Sequence, residues 1–144
     1  MTTPLQCSVV LVPLAAVLVC LAPALAAQEP SPSPGVWQAP PETQQIQNPM
    51  KGDGGTVPRG QKLFQRYCVP CHGLEGAADG RLAQRLAYKP ANLTLEQMSR
   101  LADGEIFWKV SKGRKPMPAF EQVLSQRERW DIVSYVRTLV RSTP

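Results

Sequence analysis

The sequence predicts an all-α domain of four or five short helices wrapped around a small core. Three observations carry this reading. Apolar residues recur at helical spacing from Pro58 to Arg141, with no run of alternating strands. Helix-start and helix-stop residues sit at the ends of those runs. The body from residue 57 onward is only 88 residues long, so its core is marginal without a staple, a metal or a cofactor.

The elements follow in order. Pro58 suits a first helical turn. Leu63, Phe64, Tyr67 and Cys68 then share one helix face. A loop of about 20 residues, 73–93, is long enough to wrap something large. Thr94 with Gln97 fits a capping box ahead of a short helix. Asp103 is placed to cap the next helix, with Ile106, Phe107 and Val110 buried and Gly113 as its stop. Ser125 with Glu128 forms a second capping box, opening a helix to about Arg141. On that helix Ile132, Val136 and Leu139 line one stripe, widened by Trp130, Val133 and Val140.

The chain of 144 residues joins two unlike materials. Nine of its 15 prolines lie in residues 1–50, where Glu29 and Glu42 are the only charges. All 16 Lys and Arg lie from Lys51 onward. This composition excludes collagen, coiled coil and acidic disordered tails. A single long apolar run excludes a multi-pass membrane protein. Residues 1–26 read as a secretory signal peptide, with Ala24-Leu25-Ala26 as the cleavage triplet. The n-region has no Lys or Arg, a departure from the usual pattern. Retention as a membrane anchor is the main alternative. Acylation at Cys20 is disfavoured by the bulky Val19. Residues 27–56 have linker chemistry, SPSPG, APP and GDGG, broken by Trp37, Ile46 and Met50. The domain proper is expected over 57–144.

The chemistry lies in Cys68-Val69-Pro70-Cys71-His72. C-x-x-C-H is the attachment motif of c-type haem. Its spacing lets two thiols bond the two vinyl groups of one porphyrin, and the next residue presents an imidazole to the iron. Cys7 and Cys20 leave with the signal, so haem attachment consumes both remaining thiols. A thiol–disulfide oxidoreductase would set Cys-x-Pro-Cys at a helix start after a strand. A closed zinc site needs about four ligands, and two Cys with one His fall short.

His72 is the sole histidine, so the sixth iron ligand is Met, Lys, water or another chain. Of four methionines, Met1 leaves with the signal, Met50 sits in the linker and Met98 in a short helix. Met117 lies between Pro116 and Pro118 in a rigid loop, well suited to reach the iron. The site read from the sequence is therefore Cys68 and Cys71 for one covalent haem c, with His72 and Met117 axial to its iron.

Six blocks in order resemble the class I mono-haem cytochromes c of bacterial periplasms: RGQKLFQRYCVPCHG (59–73), GAADG (76–80), KPANL (89–93), DGEIFWKVSKG (103–113), KPMPAF (115–120) and ERWDIVSYVRTL (128–139). The stretch NPMKGDGGTVPRG (48–60) is similar to small cytochromes of respiratory chains. The resemblance implies crossing first and last helices, with Gly60 and Phe64 meeting Trp130 and Tyr135 or Val136. It also implies a backbone carbonyl holding the imidazole Nδ1–H, with Arg81 or Pro90 as source. Trp108, Tyr88, Asn92 and Lys115 would lie near the haem propionates.

The formal charge of +5 survives signal removal. Two propionates lower it to about +3, which favours redox partners with acidic docking faces. The basic residues are spread over several helices, which argues against nucleic acid. The expected role is electron transfer in a periplasmic or membrane-surface redox chain, not catalysis. The rivals are a haem enzyme or sensor with an open sixth position, and a subunit fixed in a membrane respiratory or dehydrogenase complex.

Overall fold

A computed structural model of the chain describes residues 37–141. The signal segment 1–26, including Cys7 and Cys20, and residues 27–36 of the expected linker lie outside the described residues.

Among the described residues there are four α-helices: α1 Thr56–Tyr67, α2 Val69–His72, α3 Asp103–Lys112 and α4 Gln126–Leu139. Three 3-10 helices accompany them, Pro41–Gln45, Ala83–Arg85 and Glu96–Arg100. Among the described residues there is no strand, only an isolated bridge between Arg114 and Met117. No helix among them is long and apolar enough to cross a membrane.

The dominant packing is α1 against α4. Gly60 makes the crossing close: a Cβ there would stand 1.9 Å from the Asp131 carbonyl oxygen and 2.9 Å from Tyr135 Cβ. Only a residue without a side chain fits. One turn on, Phe64 is 1% exposed, and its ring lies 5.2 Å from that of Tyr135. The crossing is thus centred on Asp131 and Tyr135. Trp130 turns away from it and stacks on Phe107 of α3 at 4.0 Å. The buried Asp131 carboxylate is clasped by Arg59, Nε to Oδ2 at 2.9 Å and Nη2 to Oδ1 at 3.0 Å. This paired geometry is what keeps a carboxylate inside.

The caps only partly follow the pattern. Ser125 accepts from the Glu128 N–H while Glu128 Oε2 accepts from the Ser125 N–H at 2.8 Å, so α4 has its box. Helix α4 ends at Leu139, two residues early. Asp103 does not cap α3. Ala102 holds the cap position, its N–H donating to Glu105 Oε2 at 2.7 Å. Asp103 instead receives Arg137 Nε at 2.6 Å. Arg137 also donates to the Met98 and Leu101 carbonyls, tying the chain before α3 to α4. Thr94 caps nothing either: its N–H and hydroxyl donate to Asn92 Oδ1, an Asx turn that competes with capping.

The expected linker is, from Trp37 onward, packed structure. Ala39 and Thr43 are buried. Gly104 of α3 lets this strap lie flat, since a Cβ there would be 2.1 Å from the Thr43 carbonyl oxygen. Asn48 Nδ2 donates to Ser134 Oγ of α4 at 3.0 Å, and Met50 packs against the core. The strap holds through small residues and side-chain hydrogen bonds, which leave no apolar periodicity in the sequence.

Candidate functional site

The Cys68–His72 turn grows out of α1. The Cys68 N–H closes the last bond of α1 onto the Phe64 carbonyl at 2.8 Å. The Cys68 carbonyl then accepts from both Cys71 N–H, 3.1 Å, and His72 N–H, 2.8 Å. One short helical turn thereby brings two thiols and an imidazole together. Gly73 ends it with φ of 81°, a conformation that suits glycine. A Cβ at Gly73 would meet Asp79 Oδ1 at 1.7 Å.

The long loop that follows is folded back by backbone bonds. Ala78 N–H donates to the His72 carbonyl and Leu82 N–H to the Pro70 carbonyl, both at 2.8 Å. Gly80 lies on the turn itself, where a Cβ would stand 2.4 Å from the Val69 carbonyl oxygen. Leu93 N–H closes onto the Gly76 carbonyl at 2.8 Å.

Both thiols are free and partly buried. Burial, reinforced by the neighbouring Cys71, pushes the Cys68 thiol up to about 12. It is therefore a neutral thiol at neutral pH. His72 Nδ1 lies 3.0 Å from the Ala91 carbonyl oxygen. A carbonyl only accepts, so Nδ1 carries the proton and Nε2 keeps its lone pair. Burial holds the imidazole below its ordinary value, against the opposing Ala91 bond. The acceptor is Ala91, not the Arg81 or Pro90 carbonyl that the sequence suggested. KPANL returns to the motif one residue later than expected.

Met117 sits in a tight turn after α3. The Arg114 N–H donates to the Met117 carbonyl at 3.0 Å, and the Met117 N–H to the Arg114 carbonyl at 2.8 Å. Met117 is partly buried and packs against the core cluster. Met98 is buried within that cluster. Of the remaining residues singled out, Trp108 pairs with Trp37, Asn92 serves its own Asx turn, and Lys115 is exposed. Tyr88 is 73% exposed. Trp37, an exception in the expected linker, is docked on the domain against Trp108. Its only signal was an aromatic in a Pro-rich stretch.

The Cys68–His72 turn fits a covalent haem: two free thiols and an imidazole whose Nε2 is left unprotonated. Leu74, Tyr88 and Leu95, in the loops after the motif, are exposed, as are Ile46, Val57 and Val123 elsewhere among the described residues.

Residues 55–136, more than half of the chain, match the family described as "Cytochrome C oxidase, cbb3-type, subunit III". The chain belongs to the c-type cytochromes. Cytochrome c6 of Synechococcus elongatus is 31% identical over 77 residues, 54% of this chain and 83% of that protein. Cytochrome c6 of Thermosynechococcus vestitus has the same identity over 64% of its length. Among solved structures, a chain of the Kuenenia stuttgartiensis reducing HAO-like protein complex Kustc0457/Kustc0458 is 28% identical with a TM-score of 0.55. The match covers 61% of this chain but only 45% of that one. The KustC0563 c-type cytochrome superposes with a TM-score of 0.50 at 24% identity, over 57% of this chain and 98% of its own, and shows the shared fold. This cytochrome carries one covalent haem c with its iron and transfers electrons.

Proposed function

We propose that this cytochrome is an exported one-electron carrier whose haem is bound by Cys68 and Cys71 and whose iron is held by His72 and Met117. The haem supplies a reversible Fe(III)/Fe(II) couple. The Cys68 and Cys71 thiols would hold the haem covalently. His72 is oriented by its Nδ1–H bond to Ala91, the observation that carries the reading, because it fixes the tautomer in which Nε2 is a ligand. Met117 would supply a thioether ligand to the iron, which would raise the potential and leave no position for substrate. The carrier role, rather than catalysis, rests on both axial positions being filled.

Export is supported by the charge-free residues 1–26 with their Ala24-Leu25-Ala26 triplet. Acidic docking faces on the partners are supported by Arg81, Arg85 and Lys89, all exposed on the loop after the motif. A second reading, a subunit of a larger redox complex, is favoured by the likeness to a chain of the HAO-like complex.

Met117→Ala tests the assignment. The haem stays attached, the far-red sulfur-to-iron band of the ferric protein disappears, the midpoint potential falls, and cyanide binds. A wild-type protein that already lacks the band and binds cyanide immediately has an open iron, and the carrier reading fails. Co-purification of the wild type with stoichiometric partners favours the second reading.

A further inference from the structure

Trp37 lies outside the family match at 55–136, yet it is seated on the segment that leads to Met117. Its ring centroid is 6.2 Å from that of Trp108, tilted by 55°. Arg114 Cζ stands 5.2 Å from the Trp37 ring centre and Lys109 Nζ 5.9 Å. One indole therefore touches the last turns of α3 and the first residue of the Met117 turn. Arg114 is also the residue that exchanges both backbone bonds with Met117. The chain behind Trp37 is anchored, with Ala39 buried and the Thr43 hydroxyl donating to the Pro40 carbonyl at 2.6 Å.

We propose that Trp37 is a positioning residue for the sixth iron ligand: by packing against Trp108 and Arg114 it clamps the 114–117 turn and keeps Met117 on the haem. The inference rests on Met117 being that ligand. A neutral thioether is held at iron only while its turn is closed, and two backbone bonds between Arg114 and Met117 close that turn. An external ligand such as cyanide binds only the open turn, so its apparent affinity scales with the open fraction. Contacts of an indole with a cation and with a second ring stabilise the closed state.

The test uses the full haem-loaded protein. Trp37→Ala raises the apparent cyanide affinity of the ferric form about tenfold, equivalent to ~1.4 kcal/mol, and weakens the far-red sulfur band. Trp37→Phe restores most of both. Arg114→Gln, which leaves the ring in place, moves both in the same direction by less. Asn48→Ala loosens the strap at α4, far along the chain from the turn, and leaves both readouts unchanged. A Trp37→Ala protein within twofold of wild type overturns the inference, as does an equal shift in Asn48→Ala, which would mark general destabilisation. A wild-type protein without the sulfur band sinks the ligand assignment itself. The band present in wild type and untouched in Trp37→Ala sinks the clamp alone.

Discussion

The α1–α4 crossing and the loops after the Cys68–His72 turn are held by different forces. At the crossing, side chains meet: Phe64 on Tyr135, Arg59 around Asp131, and Gly60 against the Asp131 backbone. In the loops from Gly73 to Leu95 the ties are mostly backbone bonds, and Leu74, Tyr88 and Leu95 stay exposed while Ala83 and Leu93 are buried. The first region is a protein core in the ordinary sense. The second is a wrapping closed by backbone bonds, which on the proposed site packs against the haem. A domain this small keeps both only if the covalent group joins them.

The largest expected effect breaks the comparison on the loop side. Cys68→Ala with Cys71→Ala gives a protein without covalent pigment, with a reduced far-UV helical signal and no cooperative melt. Calorimetry and circular dichroism read the loss. If the double variant melts as sharply as wild type, the loops are not organised by the haem. Next, Phe64→Ala opens a cavity at the crossing and costs about 3–5 kcal/mol in denaturant unfolding, while the pigment stays attached. Loss of pigment from that variant would show that the two regions do not hold separately.

A smaller effect is expected of Arg59→Ala. It leaves the Asp131 carboxylate, only 2% exposed, without its partner. Unpairing the buried carboxylate destabilises the fold, an effect softened because the Arg59 side chain is 39% exposed, so denaturant unfolding shifts to lower concentration by less than for Phe64→Ala. Asp131→Asn alongside Arg59→Ala should recover part of that loss, since no charge is then stranded. Equal stability of Arg59→Ala and wild type would remove the ion pair from the account of the crossing.

The smallest effect is at the α4 cap. Ser125→Ala costs about 1 kcal/mol. Its cost also depends on pH in a stated direction. Hydrogen bonds from Ser125 hold the Glu128 carboxyl below its ordinary 4.5. A depressed carboxyl stabilises the fold above the unfolded-state value and loses that contribution as pH falls through the depressed value. The gap between Ser125→Ala and wild type therefore narrows in acid titrations below about pH 4.5. A gap that widens there contradicts the assignment.

The sequence was most legible where structure is local. The Ser125–Glu128 box, the Gly113 stop and the Phe64 face all depend on residues within one or two turns, and each stands as read. It was least legible where the partner is distant. Asp103 has the chemistry of a cap but pairs with Arg137, 34 residues away, because that bond joins two elements and a cap joins none. Thr94 looked like a cap until Asn92 took its donors. The strap from Trp37 to Met50 carries no helical or strand period, so only the fold reveals Thr43 under Gly104 and Trp37 on Trp108. At the site, the residue types and spacing of Cys68, Cys71 and His72 were plain. The acceptor that orients His72 was not, since it depends on where the loop returns, 19 residues after His72, and that is a property of its backbone bonds.

The central claim is that the Cys68–His72 turn carries one haem through both thiols. Denaturing mass spectrometry of the purified protein, with and without thiol alkylation, tests it most directly. The account predicts a mass increased by a single haem and no alkylation of Cys68 or Cys71. A colourless protein in which both thiols take up the alkylating reagent would contradict it.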